Sequence, residues 1–116
     1  MKRLVALLVF VAAPAFADPA VVKHVVASQS GAKWRFDVSI LHPDSGWDHY
    51  ADGWKIIAPD GSILGQRSLA HPHENEQPFT RSVTGITIPD GVTHVFIQAN
   101  CLTDGETSEP YRFDLK

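Results

Sequence analysis

The stretch KWRFDVSIL (33–41) alternates without a break. Trp34, Phe36, Val38 and Ile40 fall on one face, and Lys33, Arg35, Asp37 and Ser39 on the other. Successive side chains of an extended chain point to opposite faces, so a period of two marks a strand with one buried face. The rest of the chain divides in the same manner. Strands are expected at 20–29, 33–41, 53–58, 62–69, 79–88, 93–101 and 109–115. Between them lie the turn signals SGA, PDG (59–61) and PDGV (89–92), in which Pro presets φ and Gly is free to take positive values. No stretch carries the 3.6-residue period of an amphipathic helix.

About seven strands, with turn signals every eight to twelve residues, predict an all-β fold. The expected architecture is a seven-stranded antiparallel sandwich of the immunoglobulin type, with a barrel as the alternative.

The first residues speak to compartment. MKR gives a positive start, LVALLVFVAA an apolar run too short to span a bilayer comfortably, and PAFA small residues at Ala15 and Ala17 before Asp18. That order is a secretory signal peptide, 1–17, with an A-x-A cleavage box. No Cys follows the box, so a lipid anchor is not expected there. The mature chain, 18–116, is expected to be one domain in the periplasm or secreted, with no later membrane insertion. It carries eight basic and thirteen acidic residues, a net charge of −5 with histidine neutral. This excludes the clustered Lys and Arg that nucleic acid or an anionic membrane requires. With Cys101 the only cysteine, no internal disulfide can form, and the core must supply the stability.

The C-terminal third, GITIPDGVTHVFIQANCLTDGETSEPYRF, resembles the end of a fibronectin type III domain. It has the Pro-Gly-containing turn, an alternating strand ending in Ala-x-Asn, a Gly-containing loop, and Ser-x-Pro before the last strand. Trp34 suits that family's core tryptophan. The chain departs from the pattern at His94, where the family carries a Tyr soon after the turn. The resemblance implies a sandwich and, from the family's usual role, a binding or spacer module; fold alone does not fix function. The segment AHPHENEQPFTRS (70–82) is similar to one in small exported bacterial proteins with no assigned activity.

Reversal of direction from strand to strand brings three polar connections to one pole. The first carries His42, Trp47, Asp48, His49, Tyr50 and Asp52; the second His71, His73, Glu74 and Glu76; the third Cys101, Asp104 and Glu106. Four of the six histidines fall there, and loops on a rigid scaffold are where binding usually lies. A recognition surface of Trp47, Asp48, His49, Tyr50, His71, His73, Glu74 and Glu76, meeting an unidentified protein or small ligand, is the leading expectation. The alternative is a copper or zinc site. The H-x-H at 71 and 73 sets two imidazoles on one side of an extended segment, His49 or His42 supplies a third donor, and Cys101 a soft one.

Plainer roles compete with these. Glu74, Asn75, Glu76 and Gln77 can cap backbone groups in a rigid loop, and Glu76 can pair with Arg81. Trp34 and Trp54 are expected in the core, His24 and His94 as satisfied strand histidines, and Cys101 as a small buried hydrophobe. Trp47 and Tyr50 either form a recognition surface or cover the sandwich end. A Cys101–His pair with Asp48 is the sole arrangement suggesting catalysis, and no nucleophile elbow, phosphate loop or H-E-x-x-H is present, so no enzyme is expected.

Overall fold

The computed structural model describes residues 19–103, 105, 106 and 108–115. The expected signal peptide and Asp104 lie outside them. The chain forms seven strands: β1 (Val21–Ser30), β2 (Lys33–Leu41), β3 (Ala51–Ile57), β4 (Ile63–Ser68), β5 (Phe79–Ile86), β6 (His94–Cys101) and β7 (Tyr111–Asp114). They make two antiparallel sheets, a three-stranded one in the order β1-β2-β5 and a four-stranded one in the order β4-β3-β6-β7. No helix of the described residues is long and apolar enough to cross a membrane.

The core lies between the sheets and follows from the alternation. Phe36, Val38 and Ile40 of β2 are fully buried, facing Trp54 and Ile56 of β3 and Val95 and Ile97 of β6. Each such side chain contributes about 1.5–3 kcal/mol on leaving water, so a core of this kind replaces the missing disulfide. Trp54 is the tryptophan of the interior, at 1% exposure. Trp34, expected there too, is only half-buried. It sits where β2 begins, at the margin of the sandwich, and packs against the core from outside. His24 lies exposed beside a register shift in β1. His94 is half-buried, its Nδ1 3.1 Å from Thr93 Oγ1 and its ring edge-on to Phe96.

The predicted turns close one pole. In the second, Gly61 N donates to Ala58 O at 2.9 Å and Asp60 Oδ1 accepts from Ser62 N at 2.9 Å. In the third, Val92 N donates to Pro89 O at 3.2 Å. The three long connections close the other pole.

Candidate metal centre

The inward alternation of β2 does not stop at the strand's end. Phe36, Val38 and Ile40 point into the core, and His42 continues the same parity with no exposed surface. In β6 the series Val95, Ile97, Ala99 runs on to Cys101, 1% exposed. One inner-face position of each sheet thus carries a metal-type donor at the same end of the core. His49 approaches from the β2–β3 connection, its ring 4.7 Å from that of His42 and nearly perpendicular to it. One ligand atom from each of His42, His49 and Cys101 can be chosen so that all lie within 4.8 Å of one another.

Local chemistry shapes this loop. Asp44 N donates to His42 O at 2.8 Å, Ser45 N to His49 O at 3.0 Å and His49 N to Gly46 O at 3.2 Å. Gly46 adopts φ +141°, a conformation that side chains with a Cβ rarely take, and so lets the loop fold His49 back. Leu102 N donates to Tyr50 O and Thr103 Oγ1 to Asp48 O, each at 2.9 Å, which pins the loop to the end of β6. A reciprocal pair of backbone bonds between Cys101 and Gly105 holds the start of the third connection.

Asp44 is the hub. Its buried Oδ1 takes Ala51 N at 3.0 Å and lies 2.5 Å from His42 Nδ1; its Oδ2 takes His73 N at 2.7 Å. An ionised carboxylate only accepts, so the proton of that short contact belongs to His42 Nδ1. The other ring nitrogen, Nε2, is buried with no hydrogen-bond partner, and in the neutral tautomer with its proton on Nδ1 it offers a lone pair. Leaving such a nitrogen unsatisfied costs about 1–3 kcal/mol, which a bound cation would offset. Carboxylate, imidazole and an open Nε2 in sequence is how metal-ligating histidines are oriented.

His71 and His73 do not join this group. Their rings lie side by side, centroids 4.6 Å apart; one nitrogen of each is engaged elsewhere, and His73 Nδ1 is buried without a hydrogen-bond partner, 3.9 Å from Asp44 Oδ2. His73 stacks flat on Phe79 at 3.9 Å, and its Nε2 accepts from Arg81 Nη2 at 2.9 Å. Burial, then the positive charge of Arg81, lowers the His73 pKa from the ordinary value. His71 is exposed, its Nδ1 3.0 Å from the Pro72 carbonyl. The second connection therefore works as a braced loop: Gln77 donates to His73 O at 2.8 Å and accepts from His42 N at 3.0 Å. Glu76 pairs with Arg81 at 3.7 Å, as expected.

The remaining candidates are at the surface. Trp47 is 66% exposed and meets the half-buried Tyr50 edge to face at 5.9 Å. Asp48, Glu74 and Glu76 are exposed; Glu106 pairs with Lys55 and Asp52 accepts from Asn100 Nδ2, and neither belongs to the cluster of three donors.

A protein of Halomicrobium mukohataei named "Putative lipoprotein" is 40% identical to this chain over 85 residues, which are 73% of this chain and 41% of that protein. The chain thus spans less than half the length of this relative. No protein-family model matches the chain, and no solved structure matches it.

Proposed function

We propose that the protein is an exported, periplasmic or secreted β-sandwich domain that binds one transition-metal ion of the copper–zinc class. His42, His49 and Cys101 are the donors, and Asp44 is the positioning residue behind His42. The observation that carries this reading is the convergence of one ligand atom each from His42, His49 and Cys101, with His42 oriented by Asp44 and its Nε2 buried without a hydrogen-bond partner. Imidazole and thiolate are the ligands copper and zinc take. Such a domain acts by binding rather than by catalysis.

The division of strands into β1-β2-β5 and β4-β3-β6-β7 supports the immunoglobulin- or fibronectin type III-like reading. The name of the Halomicrobium relative supports export.

Calorimetric titration of chelator-treated mature protein with Cu(II) and Zn(II) tests the proposal. Near-stoichiometric binding is expected, with a melting temperature that rises with metal concentration. Binding should weaken sharply in His49→Gln and Cys101→Ser. Neither heat nor a thermal shift with either ion would remove the metal reading.

A second reading has its own observation. The exposed Trp47, packed on Tyr50, whose carbonyl accepts from the backbone of the half-exposed Leu102, suits a recognition surface for a protein or small ligand at the same pole.

A further inference from the structure

We infer that the pocket selects copper over zinc, an inference that rests on the metal-binding reading above. The donor set is two imidazoles and one thiolate. Trigonal His₂Cys coordination is a copper arrangement, and the soft thiolate favours Cu(I) in particular.

Coordination number points the same way. Zinc sites in proteins are four-coordinate almost without exception, closed by a fourth side chain or by water. Among the described residues, no fourth His, Cys, Asp or Glu joins the three donors. Asp44, the carboxylate bonded to His42, has both oxygens committed, Oδ1 to His42 and Ala51 and Oδ2 to His73. Zinc would have to draw water into a place where His42 and Cys101 expose 0% and 1% of their surface. Cu(I) is satisfied by three donors and needs no water.

Spacing fits three-coordination. Donors at about 2.0–2.3 Å from an ion at the centre of a trigonal plane stand about 3.5–4.0 Å apart. The three atoms already lie within 4.8 Å of one another, so closure requires a shift of about 1 Å. His49, the half-buried donor on a loop, is the member able to supply it, while His42 and Cys101 are fixed by strand ends.

The test is metal retention by the mature protein under anaerobic conditions. Stripped protein is mixed with equimolar Cu(I) and Zn(II), desalted, and its bound metal measured. Copper is expected to exceed zinc by about tenfold or more. A sulfur-to-copper charge-transfer absorption should accompany it, and Cys101→Ser should lose both the band and the preference. Because Cys101 is buried, His49→Gln, at a half-buried position outside the hydrophobic core cluster, serves as a second variant. It should retain markedly less copper while still folding cooperatively without metal. Bound zinc equal to or above copper would overturn the inference and leave the metal-binding reading standing. Copper selectivity undiminished in Cys101→Ser, or copper retention unchanged in His49→Gln, would overturn the inference and the assignment of that residue as a donor with it. Retention of neither metal would sink both readings.

Discussion

The two poles of the sandwich are held closed by different physics. At one, the turns 59–61 and 89–92 rest on bonds that span two or three residues, such as Gly61 N to Ala58 O and Ser62 N to Asp60 Oδ1. Each turn satisfies its own backbone. At the other, one carboxylate reaches across the fold: Asp44 joins His42, Ala51 seven residues on, and His73 twenty-nine residues on. A pole built from self-contained turns tolerates a local change. A pole built around a shared buried acceptor fails as a unit, because three donors lose their partner together. That coupling also suits the second pole to a site, since the groups that hold the loops orient the donors.

The sharpest way to break this contrast is to remove both acceptors in turn. Asp44→Ala should cost about 3–5 kcal/mol in denaturant unfolding, the scale for breaking a buried, hydrogen-bonded charge. Asp60→Ala, at a turn whose carboxylate is fully exposed, should change stability far less. Equal losses would mean the poles are not built differently.

Acidity separates the poles more gently. The folded-state pKa of His73 lies below the ordinary 6.5, from burial first and from Arg81 second. Below that value the unfolded chain takes up the proton more readily than the native one, so stability should fall as pH drops from about 6.5. The carboxylates with lowered pKa, Asp37 and Asp60, give up stability only in more acid solution, below their ordinary 3.8. His73→Gln, which keeps an acceptor for Arg81, should flatten the slope between pH 6.5 and 5 in thermal melts. An unchanged slope would show that His73 does not carry it.

The smallest effect is expected at Trp47. With 66% of its surface in water, Trp47→Ala should alter stability by no more than about 0.5 kcal/mol. A loss of several kcal/mol would place Trp47 in the support of the pole. A null result, joined to loss of partner capture, would favour the recognition reading.

The strands were legible because alternation is a local signal. Each lies close to where its pattern puts it, and antiparallel reversal brings the three connections to one pole. Within the site, legibility tracked sequence distance. Cys101 could be placed because it ends a strand, and His42 could have been ranked above His71 by extending the parity of Phe36, Val38 and Ile40 one step further. The pairing of His71 with His73 assumed an extended segment offering open nitrogens. Stacking on Phe79 and donation from Arg81, eight residues away, commit the ring face and Nε2 of His73 instead. Asp44 read as a turn residue in HPDSG, because nothing local announces a partner at position 73. Trp34 carries the right parity but sits at the end of the strand, where the opposing sheet no longer covers it.

His42 follows a strand of the three-stranded layer and Cys101 ends a strand of the four-stranded one. An ion gripped by both would act as a rivet through the two layers. Shearing the layers apart would then require cutting the rivet, so the resistance of this domain to mechanical pulling should depend on whether cargo is aboard.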